Sequence, residues 1–105
     1  MSTRCQIQVE GESVLLYKHC DGYPTGVLPT LEDVVTWFKE ERGFFDGSYL
    51  LARIGQRFMN DSDNVGSDPD RRISALGYGY DTEIHGDIEY LYTVHTDWTI
   101  TVEEK

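Results

Sequence analysis

The 105-residue chain is poor in positive charge: three lysines and six arginines stand against 19 acidic residues, for a formal charge of −10. A field of that sign repels phosphate backbones and argues against direct nucleic-acid binding. There is no apolar run of 18 residues, so no membrane-spanning helix is expected. The opening Met1-Ser2-Thr3-Arg4-Cys5 lacks the basic-then-apolar layout of a secretory leader, and a cytoplasmic protein is the expectation. Two cysteines, Cys5 and Cys20, are too few for a secreted disulfide framework. No HExxH, P-loop, Cys-x-x-Cys pair or Ser-His-Asp order is present to carry a catalytic assignment. Internal repeats are missing too, and the length suits one domain (residues 1–105) with one core.

The negative charge is unevenly spread. Asp81, Glu83, Asp87, Glu89, Asp97, Glu103 and Glu104 are opposed only by Lys105, which places −6 of the total in residues 81–105. An acidic C-terminal stretch of this kind suits a basic partner, or mimics a phosphate backbone to block a nucleic-acid-binding protein. A solubilising surface, or a salt-adapted host, is the plainer alternative.

Residues 3–10 alternate Cys5, Ile7 and Val9 with Arg4, Gln6 and Gln8, the period of a half-buried strand. Residues 13–19 form a second strand, and Gly11-Glu12 makes a hairpin the economical link. That turn pairs 10 with 13 and sets Cys5 opposite Lys18, which leaves Cys20 two places displaced and a disulfide geometrically awkward. A helix is expected from Thr30 as N-cap, with Glu32 and Asp33 in its first turn. Leu31, Val34, Val35 and Phe38 form its apolar stripe, and Gly43 its stop. A second helix starts with Asp46 or Ser48 as cap and runs to about Asn60, burying Leu50, Leu51, Ile54 and Phe58. Gly55 weakens it by about 1 kcal/mol unless close packing requires a bare backbone there.

Residues 61–72 read as a mobile acidic loop. Asp61, Asp63 and Gly66 match the first half of a calcium loop, but Val65 fills a ligand position and Arg72 stands where the bidentate Glu belongs. From Ile73 onward the chain reads as strand: Leu76–Tyr80 with Gly77 and Gly79 on a bare face, Asp87–His95, and Trp98–Val102 after a Thr96-Asp97 turn. The expected fold class is α+β in ββααβββ order, an antiparallel sheet of about five strands with both helices packed on one face.

Two polar stretches draw attention. Tyr17-x-His19-x-Asp21-Gly22-Tyr23-Pro24 packs a histidine, a carboxylate and a phenol into a turn. His85-Gly86-Asp87-Ile88-Glu89-Tyr90-x-Tyr92 repeats the His-x-Asp pattern later. With the opening Ser2-Thr3-Arg4-Cys5-x-Ile7, these strings resemble a family of small uncharacterised proteins of phages, prophages and other mobile elements. The resemblance implies a genomic setting, not a reaction. It also leads one to expect an aromatic where Cys20 stands.

The candidate site residues are therefore His19, Asp21, Tyr23, His85, Asp87, Glu89 and Tyr90. The two stretches share one end of the sheet only if their strands run antiparallel. If they meet, two imidazoles and three carboxylates offer ligands for a divalent metal, or a shared proton. If they do not, Asp21-Gly22 and Gly86-Asp87 are turn chemistry and the tyrosines are core or rim aromatics. The leading functional expectation is a non-enzymatic interaction protein that binds a protein partner, with nucleic-acid mimicry as its sharper form. The alternative is a small metal-dependent hydrolase or ligand-binding protein using the His19/Asp21 and His85/Asp87/Glu89 cluster. A narrower third is a ligand held over Gly77 and Gly79 by Tyr78 and Tyr80, with Arg4, Arg71 or Arg72 for a phosphate. Long alternating segments such as 87–95 offer an edge for pairing between chains, so a homodimer is compatible with the pattern.

Overall fold

The computed structural model describes residues 3–63 and 77–105. Their elements run β1 (Cys5–Val9), β2 (Leu15–Lys18), α1 (Pro24–Arg42), α2 (Gly47–Asp63), β3 (Tyr78–Asp81), β4 (Tyr90–Val94) and β5 (Ile100–Glu104). The ββααβββ order is as expected, and the class is α+β. The calcium-like loop from residue 64 onward, with Ile73 and Leu76, lies outside the described residues; residues 61–63 end α2.

The sheet order is β3-β2-β1-β4-β5, with β1 at its centre. The hairpin register is the expected one, with Cys5 opposite Lys18. The sheet is mixed, however, because β1 and β4 pair in parallel, with Cys5 beside Tyr90 and Val9 beside Val94. This corrects the expectation of a purely antiparallel sheet, and its cause is the link between β3 and β4. After β3 joins the outer edge of β2, residues 82–89 cross over β2 and β1 and deliver β4 to the far side of β1. Segment 87–95 is thus no edge: β4 is interior, and β3 and β5 are the outer strands.

Both helices pack on one face. Cys5, Ile7, Val9, Leu16, Tyr92 and Val94 from the sheet form one cluster with Val27, Leu31, Val34, Val35 and Phe38 of α1 and Leu50, Ile54 and Phe58 of α2. Tyr78 of β3 also faces this layer, with its ring 6.5 Å from that of Phe58. The Tyr80 hydroxyl occupies the space where a Cβ on Gly55 would go, so Gly55 is bare because a tyrosine packs over it. Tyr78 and Tyr80 therefore turn toward α2, away from the side on which Gly79 opens. A ligand stacked between those tyrosines over the glycines has no such face to occupy.

α1 begins six residues before Thr30. Tyr23 is its N-cap in extended conformation (ψ 156°), and Pro24 supplies the N1 position, where a fixed φ and a missing N–H cost nothing. Pro29 lies inside the helix and does not end it. The stop at Gly43 is as expected: φ is 75°, and its N–H donates to Lys39 O at 2.9 Å. Asp46 precedes α2 and accepts from the Tyr49 N–H at 3.4 Å. The β4–β5 turn places Trp98 at φ 73°, left-handed and strained for a non-glycine residue, while Asp97 accepts from the Thr99 N–H at 3.1 Å.

Candidate functional site

The open face of the sheet holds a smaller cluster of Leu15, Leu91, Ile88 and Tyr17. Residues 82–89 lie against it, and a fully buried amide holds them there. Gln6 Nε2 donates to Glu83 O at 2.9 Å, and the His85 N–H donates to Gln6 Oε1 at 2.8 Å. One β1 side chain thereby satisfies two backbone groups of an irregular segment, as buried polar groups require. Ile88 alternates with Tyr90 in sequence yet faces the opposite layer, because the strand begins only at Tyr90.

The two polar stretches do share one end of the sheet. β2 and β4 run in opposite directions on either side of β1, so Lys18 and Tyr90 both flank Cys5. The chain ties them together there. The Gly22 N–H donates to Thr3 O and the Glu89 N–H to Arg4 O, both at 2.9 Å. The buried Tyr92 hydroxyl reaches across to Gly22 O at 2.7 Å. Gly22 must be glycine, since a Cβ there would sit 2.8 Å from Thr3 O and 2.9 Å from Cys5 Cβ. The left-handed residue of the turn is Asp21 at φ 55°, not the glycine.

The side chains sort into three groups. His19 and His85 meet at Tyr17: the phenol hydroxyl hydrogen-bonds to His19 Nδ1 at 2.9 Å, and its ring lies 4.9 Å from the His85 imidazole. His85 Nε2 is 2.7 Å from Asp81 Oδ2. That contact, with the Thr82 and Glu83 N–H groups on the same carboxylate, holds the Asp81 carboxyl below the ordinary carboxylate range. Burial, and then the Asp87 charge, push the Tyr17 phenol up, so it stays neutral and able to donate. The second group gathers on Arg4. Asp87 Oδ2 is 3.3 Å from its Nη1, and Glu89 Oε2 accepts from its backbone N–H at 3.1 Å. Its Nε is buried and has no acceptor among the described residues. The third group is local: the Tyr23 hydroxyl donates to Asp21 Oδ1 at 3.4 Å, so these two finish their own turn.

Tyr90 departs from the expected site. It pairs with Cys5, packs against the helix-side core, and lies 6.3 Å ring to ring from Tyr92. The expected sharing of a metal also finds no ligand set. Among the described residues no three His, Cys, Asp or Glu side chains are placed to hold one ion, since Asp81 takes His85 while Asp87 and Glu89 take Arg4.

Sequence reasoning overlooks Tyr17 as the hub, and Arg4, Asp81 and Gln6 as partners. Tyr17 was legible as the same-face neighbour of His19 at i−2; Arg4 and Asp81 depend on pairings no local pattern gives. Cys5 is fully buried beneath this end of the sheet, and burial pushes its thiol up to about 12. No disulfide joins it to Cys20. No helix among the described residues is long and apolar enough to cross a membrane. No protein-family model, curated protein or solved structure matches the chain.

Proposed function

We propose that the chain is a small acidic interaction protein, of the phage or mobile-element kind its motifs resemble, that acts without catalysis by binding a basic protein partner. The observation that supports this reading is the position of the unneutralised charge. Glu104 is exposed on an outer strand beside Glu103, whose carboxylate meets Lys105 at 3.2 Å, within a stretch, 81–105, that carries −6, while in the site Asp81 pairs with His85 and Asp87 with Arg4. Mimicry of a nucleic-acid backbone is the sharper form of the same idea. Affinity capture on the immobilised chain, then calorimetry of what is recovered, tests it. Saturable binding that weakens steeply as salt rises is the expected result. Recovery of nothing saturable at moderate salt, or an affinity indifferent to salt, overturns it.

A second reading, small-ligand binding on the Tyr17 face, is favoured by the buried Arg4 Nε, which has no acceptor among the described residues. Inorganic phosphate titrated against the full chain should then give saturable shifts of the His19 and His85 ring resonances. Linear, unsaturable shifts would remove this reading.

A further inference from the structure

We infer that the basic partner is captured as an extended strand added antiparallel to the outer edge of β5; this rests on the basic-partner reading above. The first observation is the phase of the β4–β5 ladder. The His95 N–H donates to Thr99 O and the Lys105 N–H to Glu89 O, both at 2.8 Å. Antiparallel ladders alternate bonded and non-bonded pairs. With Thr93 opposite Thr101 and Leu91 opposite Glu103, those two β5 residues turn their N–H and C=O groups inward to β4. Ile100, Val102 and Glu104 turn theirs outward, along an edge where the described sheet ends. That row is a template for one more strand.

The second observation concerns side chains. Ile100, Val102 and Glu104 lie on the helix side of β5, because they pair with Val94, Tyr92 and Tyr90. Val102 is 39% exposed there. Beside this strand, a groove of about 440 Å³ runs between α1 and the β4–β5 turn, lined by Val35, Thr36, Lys39, Glu40 and Trp98. An added strand would lay alternate side chains over Val102 and toward this groove, and the others onto the Glu103 side.

Charge names the occupant. The residue facing Glu104 is best basic, and so is the one facing Glu103, whose exposed pair with Lys105 at 3.2 Å is of the weak surface kind and leaves room for a second cation. Those facing Val102 and Ile100 are best apolar, since opposite charges and apolar pairs across strands stabilise a sheet. Read antiparallel to β5, the segment is Lys-Lys-Val-Thr-Val in character. A second copy of this chain is a poor occupant, because each copy brings a charge of −10 and two more glutamates to the seam.

The test uses the full chain and a synthetic ten-residue peptide centred on Lys-Lys-Val-Thr-Val, followed by amide NMR and hydrogen exchange. Saturable shifts and slowed exchange at Ile100, Val102 and Glu104 are expected. The same peptide N-methylated at the residues that bond to the edge keeps its charge but loses its donors. It should bind about tenfold more weakly or worse, as the loss of even one or two hydrogen bonds implies. Val102→Pro, which removes one outward N–H and no bond to β4, should do the same. Equal binding of the two peptides, or shifts that fall elsewhere, overturns strand addition and leaves the basic-partner reading standing. If neither peptide binds even at low salt, both fail. Sedimentation showing a dimer that Val102→Pro dissolves would also overturn the inference, by giving the edge to a second copy.

Discussion

Gln6 is a polar side chain with no contact to water, placed in the middle of the central strand. Its amide is spent on Glu83 O and the His85 N–H, so it is the tie that holds the crossover to the sheet. Gln6→Leu keeps the volume and leaves two backbone groups without partners. A loss of about 2–3 kcal/mol is expected in urea unfolding, with faster exchange of the His85 amide as its local signature. Gly22 meets backbone atoms that cannot move aside. Gly22→Ala is therefore expected to cost about 2 kcal/mol or more, the scale of overpacking. A substitution without cost would place the N-terminal residues elsewhere. Asp81 gives the fold a pH dependence of known sign. Its folded carboxyl lies below the ordinary 3.8, chiefly through the His85 hydrogen bond, so its contribution is present above that pH and is lost as pH falls toward the folded value. Asp81→Asn should flatten the acid limb of the stability curve. Limbs that stay parallel through that range would show that the contact does not persist in solution.

Among the elements, the β4–β5 turn shows two effects in opposition. Trp98 sits in the left-handed region, which costs about 1–2 kcal/mol for a residue with a side chain. Its ring packs edge-on against Phe45 at 5.3 Å and against Phe38 at 6.1 Å. Removing a packed aromatic costs about 3 kcal/mol or more, so packing outweighs strain. Trp98→Gly should relieve the backbone and still destabilise by about 1–2 kcal/mol in thermal or urea unfolding; a gain in stability would mean the ring contributes little. The same balance of local against distant forces decides what could be read in the chain. The Gly11 turn, the Cys5–Lys18 register and the Gly43 stop are local, and each follows from residues adjacent in sequence. The early start of α1 was legible in Tyr23-Pro24 but was masked by Pro29, which looks like a breaker and is accommodated. The parallel β1–β4 pairing was not legible, because nothing within residues 5–9 records which strand arrives 85 positions later. For the same reason, the meeting of His19 and His85 at Tyr17 could be framed as a condition but not decided. Residues 87–89 alternate like a strand, yet the Ile88 side chain serves the open face while Tyr90 serves the other.

For the whole molecule, a charge of −10 on a body whose Cα atoms have a radius of gyration of 13.2 Å means constant self-repulsion. The ion pairs that offset it are mostly surface contacts, such as Arg57–Asp33 at 2.8 Å, and pairs of that kind contribute little. Added salt screens the repulsion, with a Debye length near 10 Å at 0.1 M. The melting temperature is expected to rise as sodium chloride increases from low to physiological concentration; calorimetry showing a fall would mean that attractive pairs dominate. The parallel seam between β1 and β4 also has a consequence for biosynthesis. β1 leaves the ribosome 85 positions ahead of its second neighbour, β4. Until residues 90–94 emerge, the strand destined for the centre of the sheet has one flank unpartnered and Ile7 and Val9 half covered. The nascent chain is thus committed to holding an aggregation-prone flank open while β2, both helices and β3 are made.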